Sequence, residues 1–186
     1  TQDTEVLLAL MENSVIRFKS TILDLTEISK VQKEENEEYK EINLAQLLDD
    51  VKVSIHDQVT KSEANIETDF AEAPSIVFSK KNLKSIVYNL VSNAIKYKDP
   101  NRIPHINIKT QKAEGYTVLT IKDNGLGIGE ANLDKVFSMF KRFHDHVEGT
   151  GIGLYIVKRI IDNAGGKIEV DSKVGEGSCF TIWLRD

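Results

Sequence analysis

The chain has 186 residues, of which 24 are basic and 29 acidic, so its formal net charge is -5. The basic residues form no block, and this charge balance argues against nucleic acid as a partner. The length allows one sizeable domain of about 145 residues with an appendage, and no apolar run approaches the about 18 residues that cross a bilayer.

A single cysteine, Cys179, excludes an internal disulfide and fits a reducing compartment, so we expect a cytoplasmic location. Cys179 lies in an apolar run, where a buried thiol is expected. The chain begins with Thr1 rather than methionine. We therefore expect a fragment whose parent carries any membrane anchor or sensor elsewhere, and no membrane contact from the fragment itself.

The apolar residues from position 4 to position 31 follow a heptad pattern. Its two rows are Leu8, Val15 and Ile22, and Met11, Phe18 and Leu25. Such a seam must be buried against another helix, which predicts one helix of a helical bundle. The alternative is an amphipathic helix that lies on its own domain. The polar residues 30–41 predict a helical extension or a linker.

The next predicted elements are a helix over 44–59, strands over 65–70 and 75–78, and a helix over 80–97. Asn43 and Ser79 precede the two helices, and both are residue types that cap helix N-termini. A strand through Ile106 and Ile108 and a second strand over 116–121 follow with no helix between them, which predicts antiparallel pairing.

A polar stripe lies along the predicted helix over 80–97. Asn89, Asn93 and Lys96 are spaced at i, i+4 and i+7, so they project within a narrow angle beside the buried face, and Tyr97 flanks them. These side chains could be ordinary solvated surface. They could equally offer two oxygen ligands to a hard cation and a positive charge to phosphate.

The strand over 116–121 leads to Asp123, which is followed by Gly125, Gly127 and Ile128. One interpretation is a hairpin turn, because Asp-Asn-Gly is a strong turn signal. However, the glycines that follow pair poorly in a second strand. The alternative is a pocket with the carboxylate on its floor, where glycine lets the backbone turn away without side-chain obstruction.

Residues 130–140 predict a helix, and residues 137–143 hold three phenylalanines interleaved with Lys141 and Arg142, which suits a mobile flap that docks on something. His144 and His146 lack a third ligand and make a poor zinc site.

A second glycine-rich stretch, Gly149, Gly151 and Gly153, opens a predicted helix that runs to about residue 161. Gly165 marks the end of this helical segment. Backbone N–H groups at such a helix start attract an anion. Strands over 167–171 and 179–184 close the chain. A carboxylate at a strand end, an amide pair with a lysine and a glycine-rich helix start together describe a pocket for magnesium and ATP.

This ordered set resembles the ATP-binding catalytic domain of bacterial sensor histidine kinases, in the superfamily shared with gyrase-type topoisomerases, heat-shock chaperones and mismatch-repair ATPases. Residues 89–97 are similar to its asparagine box, 123–128 to its first glycine box, 137–143 to its phenylalanine box and 149–154 to its second glycine box. Four boxes in order, within about residues 41–186, are more specific than any one. The resemblance implies an α/β (α+β) fold, a two-layer sandwich of helices on a mixed, largely antiparallel sheet, preceded by one long bundle helix.

The resemblance also implies a role for each pocket residue. Asp123 would bind the adenine amino group, with Ser178 nearby where the family usually has threonine. Asn93 would ligate Mg²⁺ with help from Asn89, and Lys96 would meet phosphate. The other implied contacts are Tyr97 along the nucleotide, Gly125 and Gly127 as lid hinges beside Ile128, Arg142 at the terminal phosphate, and the phosphate-wrapping residues Gly149, Thr150, Gly151, Ile152, Gly153 and Leu154.

The helix over 4–31 then resembles the second helix of the dimerisation hairpin, which implies residues 1–40 as bundle helix plus linker, residues 41–186 as the catalytic domain, and a homodimer in the full protein. The first hairpin helix, with the acceptor histidine and its adjacent acid, would lie outside the chain. His56-Asp57 imitates that pair, but 32 residues between His56 and Asn89 leave no room for a complete bundle helix.

The implied activity is Mg-ATP-dependent phosphorylation of that external histidine, followed by transfer to an aspartate of a response regulator receiver domain. Two rivals keep some or all of these features. One is an ATPase or protein-serine kinase of the same superfamily, and the other is a non-enzymatic scaffold that dimerises through the helix over 4–31.

Overall fold

The structure is a computed structural model that describes residues 2–33, 38–142 and 149–186. The helices are α1 (Gln2–Lys33), α2 (Leu44–Ser54), α3 (His56–Ser62), α4 (Lys80–Lys96), α5 (Glu130–Leu133) and α6 (Gly153–Asn163). The strands are β1 (Tyr39–Asn43), β2 (Asn65–Asp69), β3 (Ser75–Ser79), β4 (His105–Ala113), β5 (Tyr116–Asp123), β6 (Lys167–Lys173) and β7 (Gly177–Arg185).

Five strands form one sheet in the order β2-β4-β5-β7-β6, and β1 pairs with β3 in a two-stranded sheet. Within the larger sheet β2 and β4 are parallel, whereas the other neighbouring pairs are antiparallel. One hydrophobic cluster joins the buried faces of α2, α4 and α6 to the inner face of this sheet. The predicted two-layer fold with a mixed, largely antiparallel sheet and a long N-terminal helix is confirmed.

Both predicted helix caps are present. The Asn43 side chain accepts a hydrogen bond from the Gln46 N–H at 3.0 Å, and the Ser79 hydroxyl accepts one from the Asn82 N–H at 3.2 Å. The single helix predicted over 44–59 is wrong, because Ile55 leaves the helical conformation and separates α2 from α3. Ile55 is almost completely buried at this break, where its φ of -114° lies well outside the helical range.

Two other predictions from local pattern fail in part. The polar segment over 30–41 is helical to Lys33, but from Tyr39 it is a strand that pairs with β3. A local sequence pattern cannot reveal this strand, because its hydrogen-bond partner is distant in the sequence. The helix predicted over 130–140 stops at Leu133. The N–H groups of Val136 and Ser138 donate three residues back, as in tight turns rather than an α-helix.

The predicted aromatic flap is only partly exposed. Phe137 and Met139 pack against the core, and the ring of Phe137 meets that of Phe180 edge to face at 6.4 Å between centroids. Phe140 remains 55% exposed. Phe143, His144 and His146 lie outside the described residues.

The apolar seam of α1 is open to solvent: Phe18 is 68% exposed, and its neighbours along the two heptad rows are exposed as well. α1 contacts α6 of the same chain, but this contact leaves the seam uncovered. Among the described residues, no helix combines the length and apolarity that a membrane span requires.

Cys179 is half-buried rather than fully buried. Burial raises the pKa of its thiol, so the thiol stays protonated and weakly reactive at neutral pH, as expected.

Candidate functional site

A cavity of about 870 Å³ lies between α4, the end of β5 and the start of α6, which is a size suited to a nucleotide. The predicted site residues that line it are Asn89, Asn93, Lys96, Tyr97, Asp123, Gly127, Ile128, Gly149, Thr150, Gly151, Gly153, Leu154 and Ser178. Gly125, Ile152 and Arg142 lie outside its lining. The stretch after Asp123 is therefore a pocket wall and not a simple hairpin turn.

Asp123 ends β5 and presents its carboxylate to the cavity. Its Oδ1 accepts hydrogen bonds from the N–H groups of Gly125 at 2.8 Å and Ser178 at 3.2 Å. Within the described part of the chain, Oδ2 has no hydrogen-bond partner and stays available to a ligand. Burial raises the pKa of Asp123, while the two backbone hydrogen bonds act in the opposite direction.

The first glycine stretch, residues 125–127, passes so close to neighbouring backbone that its two glycine positions leave no room for a side chain. A Cβ on Gly125 would lie 2.5 Å from the Tyr97 carbonyl oxygen, and a Cβ on Gly127 would overlap the Lys173 carbonyl oxygen. The Leu126 N–H also donates to the Tyr97 oxygen at 2.9 Å. These close approaches lock the glycine stretch between the end of α4 and the β6-β7 turn.

The two asparagines of α4 face the cavity from successive turns. The Asn89 Nδ2 donates to the Ser85 carbonyl oxygen at 2.9 Å, which leaves its Oδ1 beside Gly153 at the start of α6. The Asn93 carboxamide has no hydrogen-bond partner among residues 2–33, 38–142 and 149–186. Both therefore offer an amide oxygen, the ligand type that a hard cation such as Mg²⁺ takes.

No group of three or more His, Cys, Asp or Glu side chains in the described ranges could hold a metal ion. A cation in this cavity would thus depend on the amide oxygens and on oxygens that a ligand brings. This donor set fits Mg²⁺, which is commonly held by few protein ligands together with substrate phosphates and water.

Lys96 and the second glycine-rich stretch meet in the lining of the cavity. A Cβ on Gly149 would overlap Nζ of Lys96, which lies 5.7 Å from the centroid of the Tyr97 ring. Burial raises the pKa of the Tyr97 hydroxyl, whereas the nearby Arg142 charge lowers it. Arg142 itself does not line the cavity.

The start of α6 completes the site. Ile152, the residue just before α6, is buried, and its side chain satisfies none of the first N–H groups of the helix. Gly151 has φ +72°, and a Cβ there would lie 2.7 Å from the Lys141 carbonyl oxygen. The N-terminal end of a helix carries partial positive charge, which suits an anionic ligand.

Sequence reasoning missed two residues that hold the pocket together. The Arg102 Nη2 donates to the carbonyl oxygens of Gly125 at 3.1 Å and Gly175 at 2.8 Å. The Ser172 Oγ accepts a hydrogen bond from the Ile128 N–H at 2.8 Å. No local signal marks either residue, because their partners are distant in the sequence.

Residues from α1 and α3 that were not predicted as site residues also line the cavity. These are Leu10, Asn13, Ser14, Ile16 and Gln58. The α1 contribution follows from its packing beside α6. The heptad pattern could predict that α1 needs a partner, but not that this helix would border the pocket.

Comparison with known proteins identifies this arrangement. A family model described as "Histidine kinase-, DNA gyrase B-, and HSP90-like ATPase" matches residues 79–186, which is more than half of the chain. The chain belongs to this ATPase family. The matched range contains α4, both glycine stretches and Ser178, and thus most of the lining of the cavity.

The relatives of this ATPase domain include sensor proteins. The chain is 37% identical over 128 residues to the sensor protein RprX of Bacteroides fragilis, which covers 67% of this chain and 24% of RprX. This chain spans between 17% and 31% of the length of RprX and four other curated relatives.

Solved structures agree with the fold. A nucleotide-free catalytic domain of the histidine kinase ThkA is 27% identical, with a TM-score of 0.68 over 80% of this chain and 95% of that domain. ThkA in complex with the response regulator protein TrrA gives 0.73 at 24% identity, over 95% of this chain and 49% of that one. Full-length ShkA in complex with AMPPNP gives 0.78 at 18% identity, over all of this chain and 40% of that one.

The close approach at Gly127 predicts a specific loss of stability. Gly127 and Gly115 have almost equal φ values, +69° and +73°, but a Cβ on Gly115 would have nothing within 4 Å. We expect Gly115→Ala to cost about 1–2 kcal/mol from backbone strain alone, and Gly127→Ala to cost clearly more because the first glycine stretch must also move. Urea unfolding of the two variants measures both costs, and equal losses would contradict the role of this contact.

The raised pKa of Asp123 predicts a pH-dependent penalty. Because its folded pKa lies above its unfolded one, Asp123 favours folding only at low pH, and this contribution is lost as the pH rises through the folded pKa. We therefore expect Asp123→Asn to unfold at a higher temperature than the unmodified chain at pH 7, with a difference that shrinks towards about pH 4.

A matched control has the opposite sign. The Ala71 N–H and the Lys109 side chain lower the pKa of the exposed Asp69, so Asp69→Asn should not stabilise the chain at pH 7. Thermal unfolding followed by circular dichroism measures all three proteins. A melting temperature for Asp123→Asn that is below that of the unmodified chain at pH 7 would show that ionised Asp123 does not destabilise the fold.

Proposed function

We propose that this chain is the ATP-binding catalytic part of a two-component sensor histidine kinase. It would use Mg-ATP to phosphorylate a histidine outside this chain, and a response regulator receiver domain would then take the phosphate on an aspartate. The single observation that carries the proposal is that Asp123 and Asn93 line one cavity, so that one nucleotide could touch both. The similarity to RprX and ThkA adds support.

In this proposal the free Oδ2 of Asp123 accepts a hydrogen bond from the adenine amino group. Lys96 and the N–H groups at the start of α6 bind the phosphates, while Tyr97 packs along the nucleotide. These residues position ATP and offset its negative charge, which is the main protein contribution in phosphoryl transfer. The general base would lie beside the acceptor histidine.

Asn93, assisted by Asn89, would hold Mg²⁺ through amide oxygens, in agreement with the carboxamide geometry described above. When bound, Mg²⁺ would neutralise charge on the phosphates. The fixed orientation of Asn89, whose Nδ2 is engaged by Ser85, keeps its oxygen towards the cavity. Arg142 is proposed to approach the terminal phosphate once a nucleotide is bound.

Within the full protein we propose residues 1–40 as the second hairpin helix plus linker and residues 41–186 as the catalytic domain. The exposed apolar seam of α1 supports a homodimer through this helix, because two apolar rows on one helix favour burial against another helix. The ThkA complex with TrrA supports a response regulator as partner. We propose a cytoplasmic location, where ATP and reduced thiols are available.

The asparagine pair predicts a change in metal dependence. Asn93→Ala should reduce by roughly tenfold the factor by which Mg²⁺ tightens ATP binding, because one amide oxygen ligand is lost. Asn82→Ala, on the first turn of α4 and outside the cavity, is the matched control. Titration calorimetry with ATP, in Mg²⁺ and in EDTA, gives the factor for each protein. An unchanged factor in Asn93→Ala would exclude Asn93 as the ligand.

The proposed reaction is tested with ATP that carries a radioactive terminal phosphate. The purified chain should bind Mg-ATP and incorporate no acid-labile phosphate, because its acceptor lies elsewhere. Addition of the parent's histidine-containing hairpin should produce acid-labile label on that hairpin. Label on His56 of the chain alone would overturn the assignment of the acceptor.

The same assay separates the rival functions. Steady ATP hydrolysis without any acceptor would favour an ATPase, and acid-stable phosphate on a partner serine would favour a protein-serine kinase of the same family. A chain that binds no ATP in the calorimeter would be a dimerisation scaffold.

A further inference from the structure

Ser172 connects three parts of the candidate site through one oxygen atom. It lies on β6 directly opposite Ser178 of β7. Its Oγ is 2.8 Å from the Ile128 N, 2.9 Å from the Gly177 carbonyl oxygen and 2.8 Å from the Ser178 Oγ. The first glycine stretch, the start of β7 and the hydroxyl of Ser178 therefore share this side chain.

The direction of each hydrogen bond follows from counting protons. A serine hydroxyl has one proton and two lone pairs, the Ile128 N–H can only donate, and the Gly177 carbonyl can only accept. If Ser172 donates to Gly177, the remaining bond must be donated by the Ser178 hydroxyl. The opposite assignment would leave the Ser172 and Gly177 oxygens 2.9 Å apart with no proton between them.

Ser178 therefore gives its only hydroxyl proton to Ser172 and has only lone pairs left for the cavity that it lines. The carboxylate of Asp123 beside it is also an acceptor, and its Oδ1 accepts from the Ser178 N–H. This end of the cavity thus offers acceptors and no hydroxyl donor from Ser178. It therefore favours an amino group, which can donate, over a carbonyl oxygen, because two acceptors cannot form a hydrogen bond with each other.

We propose that Ser172 is a specificity-determining positioning residue, which fixes the Ser178 hydroxyl as an acceptor so that the site takes a 6-aminopurine and rejects a 6-oxopurine. The inference rests on the proposed nucleotide function and adds to it. Asp123 alone supplies part of the discrimination. Ser172 supplies a further part, since without it the Ser178 hydroxyl can rotate and donate to a 6-oxo group.

The experiment compares ATP with inosine triphosphate, which carries an oxo group in place of the 6-amino group. The dissociation constants of both nucleotides are measured calorimetrically with the full chain and its variants. We expect Ser172→Ala to lower the preference for ATP by about fivefold to twentyfold. The contact between Ser178 and a 6-oxo group changes in this variant from repulsion between two acceptors to a hydrogen bond. Ser172→Thr, which keeps the hydroxyl, should retain the preference.

A double-mutant cycle tests whether Ser172 acts through Ser178. In a Ser178→Ala background, Ser172→Ala should leave the ratio of the two dissociation constants unchanged, because no hydroxyl remains to be oriented. Ser172→Cys provides a second variant of similar shape with a weaker hydrogen-bonding group, and it should shift the ratio in the same direction as Ser172→Ala. Circular dichroism checks that each variant is folded.

Two results would overturn the inference while the proposed function stands. In the first, Ser172→Ala and Ser172→Cys raise the dissociation constants of both nucleotides by the same factor, which identifies Ser172 as a structural residue only. In the second, the Ser172→Ala effect on the ratio persists without the Ser178 hydroxyl. Failure of the unmodified chain to bind ATP would overturn the proposed function and this inference together.

Discussion

The site depends on one oxygen atom, Oδ1 of Asp123. It accepts from the N–H groups of Gly125 and Ser178, and so joins the end of β5, the first glycine stretch and the start of β7 at one corner. Because both donors use the same oxygen, the other oxygen remains available to a ligand. The carboxylate thus organises the surrounding backbone and still presents an acceptor to the cavity.

This arrangement has a cost in stability. Burial of the Asp123 carboxylate raises its pKa, so its ionised form at neutral pH is disfavoured relative to the unfolded chain. The backbone donors reduce this penalty without removing it. Gly127 and Gly177 carry a second cost, since glycine loses more conformational freedom on folding than any other residue, and their positive φ values disfavour replacement by other residue types. The pocket therefore concentrates unfavourable local features that the core of α4, α6 and the sheet must offset.

Local patterns predicted the elements whose stability comes from near neighbours. The caps at Asn43 and Ser79 are present because each satisfies an N–H three residues ahead, and the stripe on α4 follows from helix geometry alone. Predictions failed where distant contacts overrode the pattern. β1 forms because β3 pairs with it, and Ile55 interrupts the predicted helix where its side chain is buried.

The sequence by itself determined which chemical groups are available: a carboxylate at a strand end, two amides and a lysine on one helix edge, and two glycine stretches. Only the tertiary structure decided that they border one cavity, and that Arg102 and Ser172 brace it. The physical reason is the sequence separation between the residues that contact each other. A helix fixes the spacing of residues four apart, whereas the Ser178 bond to Asp123 spans 55 residues and the Arg102 bond to Gly175 spans 73, so packing of the sheet must create them.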